Sequence, residues 1–145
     1  MRDAINMVIG DEWFRGSLQE LSREECFELL VEKVVGRVAY VNDDGPVVLP
    51  VNYVVDRESV LFRTSATGTM AGHLRDGTVS FQVDEVDEVT ESGWSVLLRG
   101  EATFEQPKGT DPANQPRPSP WVQGSRNLVV RIRPQLVTGR RLLAG

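Results

Sequence analysis

The residue types that could do chemistry in this chain are concentrated in one short segment, Arg63-Thr64-Ser65, which is followed by Gly68 and Thr69. An arginine can form a bidentate pair with a phosphate, and hydroxyl groups add further hydrogen-bond donors. The glycine leads into a predicted helix start, where free backbone amides favour an anion. The segment therefore predicts a site for a phosphate-bearing ligand. The alternative is a surface strand arginine followed by ordinary turn residues.

The other reactive groups in the sequence form no catalytic or metal-binding set. There is one cysteine, Cys26, and one histidine, His73, so we expect neither an intramolecular disulfide nor a multi-cysteine metal site. Cys26 falls within an amphipathic helical pattern, where a thiol is usually a small core residue. The acidic segment from Asp84 to Glu91 has no calcium-loop spacing and is interpreted as a solvated loop. We predict no metal site, and we assign no catalytic residue.

One helix and several strands must position the Arg63 segment. Ser22 and Glu25 form a predicted capping box, and the apolar residues after them indicate a helix from about Arg23 to Val35 that ends at Gly36. A short helix that ends near Asp76 is predicted between the third and fourth strands. Six strands are predicted after the first helix, near residues 37–42, 47–55, 60–65, 78–86, 94–104 and 127–137.

This order of elements predicts a mainly β (α+β) fold, a six-stranded antiparallel split β-barrel with a leading N-terminal helix and a short crossover helix. Closing the sheet into a barrel removes its exposed edges. Residues 1–20 are predicted to be extended or loosely ordered, and residues 106–120, with five prolines, to be an irregular loop. The chain of 145 residues is expected to form a single domain, 1–145.

The overall charge limits the class of partner. Sixteen lysines and arginines against 21 aspartates and glutamates give a formal net charge of −5, which argues against binding to nucleic acid or to an anionic membrane. No apolar run approaches the roughly 20 residues that cross a bilayer, and the first residues lack the pattern of a signal peptide. We therefore expect a soluble cytoplasmic domain.

Three segments together resemble a known family: residues 49–56 (LPVNYVVD), residues 61–64 (LFRT) and residues 93–100 (GWSVLLRG). Their order and spacing are similar to those of the pyridoxamine 5′-phosphate oxidase-like proteins, an FMN-binding split-barrel family. The leading helix and the tail around residues 131–141 extend the similarity over about residues 18–142. The resemblance implies an FMN-dependent oxidoreductase that works as a homodimer, with the cofactor site at the interface and an unidentified small-molecule substrate.

The resemblance also implies which residues hold FMN. Backbone groups on the second strand would border the isoalloxazine ring, namely those of Val51, Asn52 and Tyr53. The end of the third strand and the following helix would hold the phosphate through Arg63, Thr64, Ser65 and Thr69, the segment that the residue types also indicate. The partner copy would contribute residues from its fifth and last strands, namely Trp94, Ser95, Thr138 and Arg140.

One position departs from the family pattern. Many relatives have a lysine that supports the cofactor phosphate where this chain has Met70. Methionine offers neither charge nor donor, so a lysine introduced at this position is expected to tighten FMN binding. Two other functions stay open on the same scaffold. One is a deazaflavin-dependent reductase, and the other is a non-enzymatic split barrel that binds a cofactor or haem, or no ligand.

Overall fold

The computed structural model describes residues 17–65, 69–74, 77–105 and 128–144. The predicted proline-rich loop at 106–120 and residues 1–16 of the predicted N-terminal segment lie outside this part of the chain. The helices within it are α1 (Arg23–Leu30) and α2 (Thr69–Leu74), and neither is long and apolar enough to span a membrane. Its seven strands are β1 (Ser17–Leu21), β2 (Val35–Asn42), β3 (Gly45–Asp56), β4 (Ser59–Thr64), β5 (Thr78–Asp87), β6 (Ser92–Glu105) and β7 (Leu128–Leu143).

The strands form one antiparallel sheet that closes on itself. Their order is β1-β7-β4-β3-β2-β5-β6, and β6 also pairs with β7, so that β2 to β7 make a ring of six strands. These six are the strands predicted from the sequence, and the ring confirms the split-barrel prediction. Large apolar side chains fill its interior, and Phe62, Phe81, Leu98 and Ile132 are among those that are fully buried.

The sheet has a seventh strand besides the six predicted ones, because β1 pairs with the end of β7 from Ser17 opposite Leu143 to Leu21 opposite Gly139. Only Leu21 of this strand is buried. Strand β1 therefore lacks the alternation of apolar and polar residues that identifies a half-buried strand. Its pairing with β7, far away in the sequence, is what makes this segment a strand. For the same reason β7 continues to Leu143, six residues beyond its predicted end at Val137.

The first helix starts as predicted but ends early. Ser22 caps it: its hydroxyl accepts a hydrogen bond from the Glu25 amide, and the Glu25 carboxylate accepts one from the Ser22 amide. The helix ends at Leu30 rather than near Val35, and Gly36 is a strand residue opposite Val51 rather than a helix cap. A Cβ at residue 36 would lie 2.3 Å from the Phe81 ring, so this glycine lets β2 pass close to the core.

The acidic segment is also more regular than predicted. Asp84 to Asp87 belong to β5 and pair with the start of β6, so only residues 88–91 form a turn. Cross-strand pairing here outweighs the poor strand propensity of acidic residues. Within the described ranges, no group of three or more histidine, cysteine or acidic side chains is placed to hold a metal ion.

Candidate functional site

The barrel opens where strands β3 and β4 separate. Their ladder runs from Asp56 opposite Ser59 to Tyr53 opposite Phe62 and stops there. The preceding half of β3 stays on β2, whereas the end of β4 pairs with β7. The two strands therefore stop pairing before Asn52 and Arg63, so the predicted residues of β3 and β4 lie on neighbouring strands at the end of their ladder.

Arg63 is the most informative residue at this opening. Its side chain is half-buried, and its Nε is buried without a hydrogen-bond partner among the described residues. An unsatisfied buried donor costs about 1–3 kcal/mol, so such groups are rare and call for an explanation. A phosphate oxygen would satisfy this N–H and would also neutralise part of the guanidinium charge. The donor therefore fits an anionic ligand at the end of β4.

The residues next to Arg63 differ in how far their side chains are buried. Thr64 is buried, at 3% exposure, and Ser65 is half-buried directly after the strand. Thr69 is the first residue of α2, and its side chain lies outside the described part of the structure. Met70, the next residue, is half-buried and packs against the hydrophobic core.

Of the three predicted β3 residues, Asn52 lies half-buried on the outer face, opposite Val35, whereas Val51 and Tyr53 share the inner face: Val51 is half-buried and packs against the core, and Tyr53 is part of the core. The Tyr53 hydroxyl donates to the Leu30 carbonyl over 2.5 Å, and its ring meets Phe81 edge-on with centroids 5.0 Å apart. Burial raises the pKa of this phenol above its ordinary value. The Tyr53 amide is also occupied, because it donates to the Val34 carbonyl. Tyr53 thus fastens the end of α1 to β3.

The predicted residues of β6 and β7 form a second group. Ser95 lies opposite Arg140, and Leu97 lies opposite Thr138, so these side chains share the outer face of the sheet. Thr138 and Arg140 are exposed and Ser95 is half-buried. Trp94 points to the other face and is a core residue at 7% exposure. Three of the four residues are therefore brought together at the surface, and Trp94 is not.

One chain keeps the two groups apart. Thr64 pairs with Leu128 at the start of β7, and Ser95 pairs with Arg140 near its end. Twelve residues separate these two positions on β7, which corresponds to about 40 Å of extended strand. A ligand phosphate bound at Arg63 can therefore contact only the Arg63 group of that chain, and not the Ser95 group of the same chain.

An arginine that the sequence did not point to lies beside this site. Arg131 of β7 contacts Glu105 (Nε to Oε1, 2.7 Å), Asp56 (Nη1 to Oδ2, 3.1 Å) and Ser59 (Nη1 to Oγ, 2.6 Å). Its side chain is only 14% exposed, and the hydrogen bond to Glu105 is the main cause that raises its pKa. The alternation of Arg131, Ile132 and Arg133 could have indicated an outward-facing arginine. Its acidic partners depend on strand register, which no local pattern contains.

Cys26 has the structural role expected for a buried thiol. It is fully buried, and burial raises its pKa, which keeps it protonated. A Cβ at residue 139 would lie 2.6 Å from its Sγ, so the glycine of β7 makes room for it under α1.

Comparison with known proteins agrees with this architecture. The uncharacterized protein Rv0080 of Mycobacterium tuberculosis is 33% identical over 134 residues, which span 86% of each chain. The FAD-binding protein of Mycobacterium smegmatis superimposes with a TM-score of 0.66 at 30% identity, covering 86% of this chain and 98% of its own. A Corynebacterium glutamicum protein named as a candidate pyridoxamine 5′-phosphate oxidase gives 0.69 at 27% identity, with 88% and 95% covered.

The family model described as pyridoxamine 5′-phosphate oxidase matches residues 22–141, from the cap of α1 to two residues before the end of β7. This range contains the six strands of the ring, apart from the last two residues of β7, and every residue of the two candidate groups. The chain therefore belongs to the pyridoxamine 5′-phosphate oxidase family.

Proposed function

We propose that this protein binds FMN and works as a flavin-dependent oxidoreductase on a small molecule. The observation that carries the proposal is the buried Arg63 Nε, which lacks a partner among the described residues at the point where β3 and β4 separate. The structural neighbour from Mycobacterium smegmatis, 30% identical, is a FAD-binding protein, which supports a flavin as the class of ligand. FMN is the specific proposal because its single terminal phosphate matches one guanidinium at a strand end.

The residues of this chain would bind and orient the flavin. Arg63 would hold the phosphate, and Ser65 would border it. The backbone of β3 at Val51 and Asn52 would lie along the ring, with the half-buried Asn52 side chain on the outer face. A bound flavin supplies hydride exchange with a substrate, so the protein itself needs to provide only orientation and the exclusion of water.

We further propose that two copies complete the site. The outer face of β2 and β3 exposes apolar side chains that a monomer would leave in water, among them Val35 (36%), Val41 (67%) and Val48 (61%). Asn52 lies on the same face, opposite Val35. Such apolar surface is typical of an interaction site.

The outer face of β6 and β7 also exposes apolar side chains, here next to polar ones. Leu136 is 40% exposed there, and Leu18 of β1, opposite Leu142, is 43% exposed. Ser95, Thr138 and Arg140 lie among these leucines. If the β2–β3 face of one copy packs on the β6–β7 face of the other, two-fold symmetry makes the reverse contact as well, which gives a closed dimer with two equal sites. Each site would then combine the two groups that one chain holds apart.

The test is the absorption spectrum of freshly purified protein, followed by fluorescence titration with FMN, FAD and riboflavin. We expect flavin bands or tight FMN binding, with riboflavin weaker by at least about tenfold because it has no phosphate for Arg63. Tighter binding of FAD than of FMN would replace the FMN assignment by FAD. Deazaflavin or haem bands, or a protein that binds none of the three flavins, would contradict the proposal.

A further inference from the structure

Arg63 has a potential competitor for the ligand on its own sheet. Val129 of β7 is paired on one side with Arg63 and on the other with Glu105 of β6. The three residues therefore form one row on the outer face, and the ends of the row lie about 10 Å apart at ordinary strand spacing. Extended arginine and glutamate side chains can span that distance, so Glu105 is placed to form an ion pair with Arg63.

The structure shows a different pairing. The Oε1 atom of Glu105 accepts a hydrogen bond from the Nε of Arg131 over 2.7 Å. Arg131 lies two residues beyond Val129 on β7, whereas the Nε of Arg63 has no partner among the described residues. Arg131 is itself held in place, because its Nη1 donates to Asp56 and to Ser59. Ser59 is 3% exposed and its hydroxyl donates to the Asp56 carbonyl, so the turn between β3 and β4 forms a fixed support for the guanidinium.

We propose that Arg131 is a positioning residue that holds Glu105 away from Arg63 and so keeps the Arg63 guanidinium available for an anionic ligand. A carboxylate paired with Arg63 would have to be displaced by every incoming phosphate, and this displacement lowers the apparent affinity. The planar fork of Arg131 binds Glu105 with Nε and the Asp56 and Ser59 side chains with Nη1 at the same time, which a lysine cannot do. The inference rests on the proposed flavin function for the identity of the ligand, but not for the geometry.

The experiment compares FMN and riboflavin binding by fluorescence titration in Arg131→Gln, Glu105→Gln and the double variant. Arg131→Gln should weaken FMN binding by at least about tenfold, because Glu105 is then free to occupy Arg63. Glu105→Gln should bind FMN at least as tightly as the unmodified protein, and the double variant should recover that affinity. Riboflavin binding should be the same in all of them.

A matched control separates the competitor from general charge effects. Glu101 lies on the same outer face of β6, opposite Arg133, and is exposed. Adding Glu101→Gln to Arg131→Gln removes one negative charge, as Glu105→Gln does, but from a residue further from Arg63. It should not restore FMN affinity. Restoration by both second substitutions alike, or by neither, would overturn the proposal, as would unchanged FMN binding in Arg131→Gln.

Loss of folding in Arg131→Gln would not prevent the test. Removing one member of a half-buried ion pair is costly, so Arg131→Lys provides a milder version, measured with and without Glu105→Gln. The FMN defect of Arg131→Lys should be smaller and should again be relieved by Glu105→Gln.

The outcome also separates this inference from the proposed function. If the unmodified protein binds no flavin, the proposed function fails, and the same variants are compared by their thermal stabilisation in inorganic phosphate. The order of the variants should then be the same as that expected for FMN. A protein that phosphate does not stabilise, or variants that respond equally to it, would overturn the role of Arg131.

Discussion

Replacing Arg63 by methionine should change stability and binding in opposite directions. Methionine retains most of the apolar length of the side chain but removes the buried Nε–H that has no partner among the described residues. Since an unsatisfied buried donor costs about 1–3 kcal/mol, the ligand-free variant should be more stable by about 1 kcal/mol. For a chain of this size that corresponds to a melting temperature about 3 °C higher.

Saturating FMN should reverse this order. At a ligand concentration of 100 times Kd, binding stabilises the unmodified protein by about 2.7 kcal/mol. Loss of the charged partner should weaken FMN binding by at least about tenfold, and at the same concentration the variant would then gain no more than about 1.4 kcal/mol. The variant is thus more stable by about 1 kcal/mol without FMN and less stable by about 0.3 kcal/mol with it, so the decisive comparison is between the two gains from FMN, about 2.7 kcal/mol and at most about 1.4 kcal/mol.

Thermal unfolding at one fixed protein concentration, with and without FMN, is the assay. Arg57→Met is the matched control, because Arg57 is an exposed arginine in the turn between β3 and β4, away from both proposed interface faces. It should leave both melting temperatures within about 1–2 °C. An Arg63→Met variant that is less stable without ligand, and that gains as much from FMN as the unmodified protein, would refute the assignment of Arg63 to the phosphate.

Three further substitutions test other parts of the structure. Tyr53→Phe should lower the free energy of unfolding by about 1 kcal/mol in urea titrations, through loss of the hydrogen bond to Leu30. Because burial raises the Tyr53 pKa, the folded protein keeps this proton above about pH 10 while the unfolded chain loses it. Stability should therefore fall as pH rises beyond that point, and an equal fall in Tyr53→Phe would contradict this explanation. Val48→Glu places a charge on the apolar outer face and should halve the mass measured by light scattering, whereas Val89→Glu at the exposed hairpin tip should not. A monomeric unmodified protein would disprove the dimer. Met70→Lys should tighten FMN binding by about tenfold and leave riboflavin binding unchanged. It should also cost some thermal stability because Met70 packs against the core. Equal changes for both ligands would show that residue 70 does not face the phosphate.

Local sequence signals were sufficient wherever the interaction itself is local. The capping box of Ser22 and Glu25 joins residues three apart, and both of its hydrogen bonds are present. The turn at Asp43-Asp44-Gly45 joins adjacent strands, and Gly45 has the positive φ, 124°, that its position requires. Buried and more exposed residues alternate along much of β5 and β6, because side chains of a strand point to opposite sides whatever its partners are.

The end of α1 shows where local signals fail. Apolar residues continue at helical spacing through Val34, and Gly36 stands where a helix cap would be. The structure instead pairs Val35 with Asn52 and Gly36 with Val51. A strand partner seventeen or fifteen residues away supplies backbone hydrogen bonds that one more helical turn cannot match, and the sequence of residues 31–36 does not contain that information.

For the candidate site, too, some features follow from the local sequence and others depend on the tertiary structure. The anion site at the end of β4 remains a prediction from the residue types of the Arg63 segment, whose donors are neighbours in the chain. Only the tertiary structure decided that β3 and β4 separate at this point, that Trp94 belongs to the core, and that Arg131 holds Glu105. Each of these depends on the register of strands far apart in sequence. A shift of one residue in that register would exchange the two faces of a strand and with them every such contact.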